Sequence, residues 1–473
     1  MEAAKFLVNG EWRQSSIKRQ VFNPFEGKGV EEICQATSKD IDDAIGAADD
    51  AFRLTRNLTA YERSAALLHV ATTVQGQKEE FAQLITLETG KPISFSRAEV
   101  ERAVFTLTTS SEEAKRIEGT ILPMDVAPQA PVRTGLVRRF PIGVIGAITP
   151  FNFPLNLVAH KVGPAIAAGN TVVLKPSSNA PETSLRLAHI FEETSLPKGA
   201  LNVVPCMASE IEQLITDKRV KLISFTGSPS VGWGIKARAG KKKVLLELGG
   251  NAGVIVGSDA DLEYTLKRVL QGAFGNAGQS CIAIQRVYVH EHIADLFTEQ
   301  FVKLTRSLAV GDPANERTVV GPMIDEQAAR KIESWIKEAT QAGARILCGG
   351  KRKGALLEPT VLADVDPELK VSCQEAFAPI VTIDRFTDFK DAVERVNASA
   401  FGLQAGVFTN SASDIFYAYR ELEVGGVIIN DASTYRMDHM PYGGVKDSGL
   451  GREGVRYAIE EMTEVKVLAL NFV

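Results

Sequence analysis

At 473 residues the chain is long enough for two or three domains with a large core, and 45% hydrophobic with 23% charged residues is ordinary globular composition. A net charge of −5 argues against a nucleic-acid-binding surface, and the run Lys241-Lys242-Lys243 is too short to change that. No window approaches the roughly 18 uninterrupted apolar residues of a membrane span. The opening Met1-Glu2-Ala3-Ala4-Lys5 carries no signal-like or transit-like character. Five scattered cysteines (Cys34, Cys206, Cys281, Cys348 and Cys373) imply reduced thiols and a cytoplasmic setting. Six histidines without ligand spacing, and no Cys-x-x-Cys, give no metal site.

Along the chain, helical patterns alternate with short apolar strands, which predicts α/β architecture. Amphipathic helices are expected over 41–53, 60–88 and 91–117, the last after the break at Gly90 and Pro92. The segment 118–139, with Pro123, Pro128 and Pro131, interrupts the pattern. A buried strand at 143–148 follows, then a helix at 155–168 stopped by Gly169-Asn170, a strand at 171–175, a helix at 181–194 and a strand at 201–204. That succession predicts a parallel sheet with its ligand at the carboxyl ends of the strands. No G-x-G-x-x-G lies in this first sheet. Gly227-Ser228-Pro229-Ser230-Val231-Gly232 follows the strand-like Leu222-Ile223-Ser224-Phe225 and opens a helical pattern, where N–H groups can meet a pyrophosphate. Glycine-rich strand-to-helix turns are common without any phosphate.

Two residues carry reactive potential. Cys281 ends a turn-prone segment, 274–281, ahead of the strand-like 282–289, where a nucleophile can face substrate and receive backbone N–H donors. Glu247 ends an apolar run, where desolvation raises a carboxyl toward the range of a general base. A thiol and such a base point to covalent catalysis through a thioester that water cleaves. An inert core cysteine is the competing reading.

Seven motifs in order, Phe151-Asn152-Phe153-Pro154, Val173-Leu174-Lys175-Pro176-Ser177, Phe225-Thr226-Gly227-Ser228, Leu246-Glu247-Leu248-Gly249-Gly250, Gly278-Gln279-Ser280-Cys281, Glu375-Ala376-Phe377-Ala378-Pro379 and Pro441-Tyr442-Gly443-Gly444, resemble the aldehyde dehydrogenase superfamily. The resemblance spans nearly the whole chain, from Phe6 to Leu470. It implies a Rossmann-like cofactor domain (1–118 and 140–249), an α/β catalytic domain (250–448) and a small β arm (119–139 and 457–473) through which the chain forms homodimers or homotetramers.

By this resemblance Cys281 is the nucleophile, Asn152 and the Cys281 backbone N–H hold the thiohemiacetal oxyanion, and Glu247 activates the hydrolytic water. Without the family, Asn152 reads as a helix N-cap. Lys161 matches a lysine near the active site, and a structural ion pair is its other reading. The presence of Glu247 favours release of a free acid over transfer to coenzyme A. For the cofactor, Phe151, Lys175, Ser177, Ser178, Gly227, Ser228, Gly232, Leu248, Glu375 and Phe377 match the NAD(P) segments. NAD-selective members often carry a glutamate at the position of Ser178. A small neutral residue leaves room for a 2′-phosphate, so NADP is favoured over NAD.

The substrate signal is thinner. Asn156 and His160 follow Asn152 at i+4 steps on a predicted helix face. Together with Arg102 and Arg436 they resemble the branch acting on lactaldehyde, phosphonoacetaldehyde and other short polar aldehydes, including its non-phosphorylating NADP-dependent members. Ser280 stands where binders of phosphorylated or phosphonylated aldehydes often have arginine, which favours a hydroxyaldehyde or semialdehyde over a doubly charged headgroup; a phosphorylated, phosphono or sulfo aldehyde stays among the candidates. The competing readings are an Arg102 pair with Glu99 or Glu101, a core His160 and an Arg436 that bridges subunits. Beyond a hydrolysing dehydrogenase stand a coenzyme A-acylating semialdehyde dehydrogenase, a thiol hydrolase and a non-catalytic protein on the same scaffold.

Overall fold

Among the described residues, the first sheet orders its strands Glu11–Arg13, Phe6–Val8, Leu201–Val203, Thr171–Lys175, Val144–Ile148, Val220–Thr226, Lys243–Glu247 and Gly449–Leu450. The five strands from Leu201–Val203 to Lys243–Glu247 run parallel, with antiparallel additions at both edges. Parallel strands are covered on both faces, which is why Val144–Ile148 is apolar and wholly buried. The chain winds from Val144–Ile148 outward to one side, then returns to build Val220–Thr226 on the other. The resulting switch point opens a crevice at the carboxyl ends of these two strands, where ligands of such sheets bind.

This computed structural model describes residues 3–130 and 132–471. Residues 1 and 2 of the expected cofactor segment, Pro131, and residues 472 and 473 of the expected arm lie outside them. A second sheet runs Arg345–Cys348, Thr360–Ala363, Ile380–Phe386, Ile284–His290, Ala252–Val256, Gln404–Phe408 and Gly426–Ile429. It is parallel except for its first strand. A third, antiparallel sheet joins Thr463–Leu470, Thr134–Pro141 and Thr120–Pro123. The helix Val455–Glu461 ahead of it packs into the first sheet's core through Val455 and Ile459, so the third sheet takes only the strand from Thr463 onward.

Two helical expectations need correction. The single helix expected over 60–88 is two, Ala60–Gly76 and Lys78–Thr89, because Gln77 leaves helical geometry after Gly76. The helix expected from 155 begins at Asn156, so Asn152 precedes it by a turn and lies on no helix. Asn156 and His160 do share that helix. Its first N–H groups, of Leu155 and Asn156, donate to Glu99 Oε1 at 2.9 and 3.2 Å. A carboxylate borrowed from the helix Ile93–Glu113 thus caps it across 56 residues of chain.

Candidate active site

A cavity of about 520 Å³ opens at the switch point, between the first and second sheets. Its wall includes Phe151, Asn152, Glu247, Leu248, Gly227, Ser228, Cys281, Glu375 and Phe377, together with Arg102, Asn156, Ser280 and Arg436. His160, Lys161, Lys175, Ser177, Ser178 and Gly232 do not line it.

Cys281 is presented by a strained turn. Asn276, Ala277 and Gly278 all take left-handed backbone (φ 52°, 53° and 66°) between the helix Leu262–Phe274 and the strand Ile284–His290. Any side chain at 278 would also strike the Ala378 carbonyl oxygen, 2.1 Å from the Cβ position. Two non-glycine residues in that region cost on the order of 1–3 kcal/mol each, a strain typical of sites that aim a reactive group. The Cys281 sulfur lies 3.0 Å from the Tyr442 hydroxyl. Burial pushes its thiol up to about 12, although the Tyr442 hydrogen bond pulls the other way.

Asn152 donates from Nδ2 to the Gln279 carbonyl oxygen at 3.0 Å, two residues ahead of Cys281, and Oδ1 has no partner among the described residues. The second Nδ2 proton remains for an oxygen in the cavity. Glu247 is buried at the end of its strand, and its Oε2 also lacks a partner among the described residues. Burial raises its pKa well above the usual range, and the neighbouring Glu453 raises it further against Arg436, Lys161 and Arg452. Gly443 leaves room for that carboxyl: a Cβ there would sit 2.9 Å from Glu247 Oε1.

Behind the cavity lies a charge network that sequence reasoning missed. Asp438, almost fully buried, accepts from Arg102 Nε and Nη2 (3.0 and 2.6 Å), His160 Nε2 (2.9 Å) and Asn156 Nδ2 (3.2 Å). Burial opposes its ionisation, but the hydrogen bonds from His160 and Arg102 more than offset that and hold it below the usual carboxylate range. Glu453 bridges Lys161 Nζ at 3.2 Å and Arg436 Nη2 at 3.1 Å. Burial raises its pKa, but the charge of Lys161 and the charge and hydrogen bond of Arg436 hold it low. Arg102 therefore pairs with Asp438 and with neither Glu99 nor Glu101. Glu99 is taken by Lys91 and the helix cap, and Glu101 by Lys78. His160 is pushed down by burial, then by Arg436, so as neutral imidazole it donates Nε2–H to Asp438. Asp438 lies within the stretch 435–440 that flanks Arg436; a single carboxylate among basic and apolar neighbours was its only trace in the sequence.

Some of the residues expected to meet the dinucleotide, Phe151, Gly227, Ser228, Leu248, Glu375 and Phe377, lie in the cavity wall. Ser228 sits at the N-terminal cap of the helix Pro229–Arg238 and makes no capping hydrogen bond. Two of the expected phosphate donors are otherwise engaged: Gly227 N–H donates to the Glu247 carbonyl oxygen (3.0 Å) and Gly232 N–H to that of Ser228 (3.0 Å). Gly232 instead permits close packing, since a Cβ there would lie 2.3 Å from Leu248 Cδ2. Glu375 accepts from Gly250 N–H at 3.0 Å, and burial pushes its carboxyl up to about 7. A Cβ at Gly249 would come within 2.6 Å of that carboxylate, so the backbone there forms a cradle only glycine leaves open. Phe377 meets Phe151 edge-to-face at 6.0 Å.

Farther out, Lys175 Nζ donates to Ser178 Oγ (3.1 Å), and Ser177 Oγ accepts from Asn179 N–H (3.2 Å). Arg19 Nη2, from the N-terminal hairpin, donates to Asn179 Oδ1 at 3.3 Å. Among the described residues no carboxylate pairs with Lys175 or Arg19. Desolvation lowers the Lys175 pKa. Glycine cradle, uncapped helix start, cavity carboxylate and unpaired cations are together a donor set that fits a dinucleotide.

Comparison with known proteins agrees with this geometry. The aldehyde dehydrogenase family model matches residues 12–468. A 3-sulfolactaldehyde dehydrogenase of Priestia megaterium is 48% identical over 465 residues, covering 98% of this chain and 97% of the relative. The crystal structure of aldehyde dehydrogenase 21 from Physcomitrella patens, in complex with the reaction product succinate, superposes with a TM-score of 0.97 at 45% identity, over 99% of this chain and 98% of that one. A glyceraldehyde-3-phosphate dehydrogenase of Methanocaldococcus jannaschii complexed with NADP gives 0.93 at 38% identity, over 97% and 99%. No helix among the described residues is long and apolar enough to cross a membrane. Thiol, amide and buried carboxyl meet in one cavity beside a dinucleotide cradle, in a chain matched almost end to end: the protein belongs to the aldehyde dehydrogenase family and is an NAD(P)-dependent oxidoreductase.

Proposed function

We propose that this chain oxidises a short polar or anionic aldehyde to its carboxylic acid, with Cys281 as nucleophile, Asn152 as oxyanion donor and Glu247 as hydrolytic base. Cys281 sulfur, as the thiolate left once its proton has passed to water, attacks the aldehyde carbon. The resulting oxyanion takes the free Asn152 Nδ2 proton and the Cys281 backbone N–H, donors already in place before charge develops. The bound nicotinamide supplies the hydride acceptor. Once hydride has left, the acyl group remains on Cys281 as a thioester, and Glu247 removes a proton from the water that cleaves it. Lys161 acts at one remove, holding Glu453 and Ser224 Oγ (3.1 Å).

The observation that carries the substrate class is the charge of the network that lines and backs the cavity. Arg102, Arg436 and Lys161 are three cations against two ionised carboxylates, Asp438 and Glu453, which leaves one net positive charge while Glu247 is neutral. Arg102 remains one-third exposed, and its Nη1 has no partner among the described residues. Relatives named for 3-sulfolactaldehyde, or bound to succinate, are consistent with an acidic or hydroxylated substrate. Lactaldehyde, a semialdehyde and a phosphorylated, phosphono or sulfo aldehyde are the compounds to compare.

A screen of lactaldehyde, succinic semialdehyde, 3-sulfolactaldehyde and propanal with NAD and NADP tests the reading. Charged substrates are expected to give the higher kcat/KM, and preference for propanal would overturn the assignment. In Arg102→Leu the charged substrates are expected to lose about 2–5 kcal/mol of transition-state stabilisation while propanal loses little. Equal losses would leave Arg102 as no more than a partner of Asp438.

NADP is the preferred cofactor on this reading, because Lys175, Ser178 and Arg19 meet at the adenosine end with no opposing carboxylate. Ser178→Glu should swing the ratio of kcat/KM values toward NAD by at least about tenfold, on the order of 1.4 kcal/mol. An unchanged ratio would remove Ser178 from the ribose. The first sheet is proposed as the cofactor domain (1–118 and 140–249), the second as the catalytic domain (250–448). The third sheet is proposed as an arm pairing copies into a dimer or tetramer, supported by Val465, Val467 and Leu468 exposed on its edge strand; light scattering is the direct check. Unpaired, scattered thiols support a cytoplasmic setting.

A further inference from the structure

Tyr442 lies in the Pro441-Tyr442-Gly443-Gly444 motif, beside Cys281 but outside the roles of Asn152 and Glu247. Its ring is 3% exposed and held from three sides. Its backbone forms an antiparallel bridge with Glu453, with N–H···O distances of 3.0 and 2.6 Å. Ile282 and Leu403 pack against the ring. The Arg436 guanidinium lies over its face, 3.7 Å from the centroid, and is itself anchored by Glu453 Oε2 at 3.1 Å. The hydroxyl so fixed points at one partner, Cys281 Sγ, 3.0 Å away.

We propose that Tyr442 is a catalytic residue, whose hydroxyl donates a hydrogen bond to the Cys281 sulfur whenever that sulfur is charged, before attack and again as the thioester breaks. This rests on Cys281 being the nucleophile. A neutral thiol can act as donor or acceptor, but a thiolate has no proton to give, so in the charged state the hydroxyl must be the donor. Such charge-assisted bonds are stronger than neutral ones. The need for one is set by the surroundings. The other ionisable groups facing the sulfur are Glu375 and Glu247, which oppose a thiolate, and Arg436, which favours it. Arg436 over the ring face draws electron density from the phenol and strengthens it as a donor. Tyr442 is not the base that takes the thiol proton: burial, then Cys281, keep its hydroxyl protonated far above the ordinary range.

The test is the pH dependence of Cys281 alkylation by iodoacetamide, with and without NADP, the labelled peptide being identified by mass. Tyr442→Phe keeps the ring and removes one atom. Its profile is expected to move up by about one pH unit, roughly a tenfold slower reaction at a fixed pH below the midpoint. Cofactor affinity is expected to be unchanged and kcat/KM to fall. Site-specific 3-fluorotyrosine at 442, a more acidic phenol of nearly the same shape, is expected to move the profile down. Opposite shifts in the two variants establish the donor. Profiles coincident with the parent enzyme overturn it and leave the nucleophile untouched. Failure of iodoacetamide to label Cys281 in any of the proteins overturns the nucleophile and this inference together.

Discussion

Cys281→Ala is expected to abolish aldehyde oxidation while leaving dinucleotide affinity within about twofold of the parent, since only the covalent step needs sulfur. The sulfur stands in the cavity just beyond the strained 276–278 turn, and alanine lets the same backbone persist. Without the thiohemiacetal no carbon bears the oxyanion from which hydride can leave, so the reaction stops before its first chemical event. Fluorescence titration of NADP and NAD measures binding, and absorbance of the reduced cofactor measures turnover. Appreciable turnover by the alanine variant would sink the assignment of Cys281.

Glu247→Gln is expected to separate the two halves of the reaction. The thioester should form, giving one equivalent of reduced cofactor per site in a burst, after which the steady state slows by about 10²–10⁴-fold, the usual worth of a general base. The pH dependence follows from the raised pKa of Glu247, caused by burial and then by Glu453. Only the ionised carboxyl accepts a proton from water, so thioester hydrolysis rises with pH through this elevated pKa and falls as the group protonates. In the glutamine variant that limb should vanish. Stopped-flow absorbance across the pH range reads both effects. Loss of the burst as well would mean that Glu247 acts on the thiol before it acts on water.

The legible part of this protein is local. Alternating apolar runs and helical periods marked the strands Val144–Ile148 and Thr171–Lys175, because the buried stretch of a strand covered on both faces is apolar, as in Val172-Val173-Leu174. The glycines around Cys281 and the carboxylate ending an apolar run stood out for the same reason: unusual backbone and unusual burial restrict residue type at a single position. Boundaries that depend on neighbours were not legible. Nothing near Asn156 reveals that Glu99 caps its helix, and Asn152 read as the N-cap for want of that carboxylate.

The sequence alone therefore singled out Cys281 and Glu247 as candidates for reactivity, and its family resemblance added Asn152 and the segments expected to bind the dinucleotide. Tertiary structure decided their electrostatics. Asp438 meets Arg102 across 336 residues of chain and His160 across 278, Glu453 meets Lys161 across 292, and Tyr442 meets Cys281 across 161. Only the folded chain shows that Arg102 already has a partner, or that Gly227 and Gly232 have no N–H to spare. The physical reason is range. Backbone conformation is set by a residue and its immediate neighbours, whereas a buried charge is stable only beside groups that the whole fold brings to it.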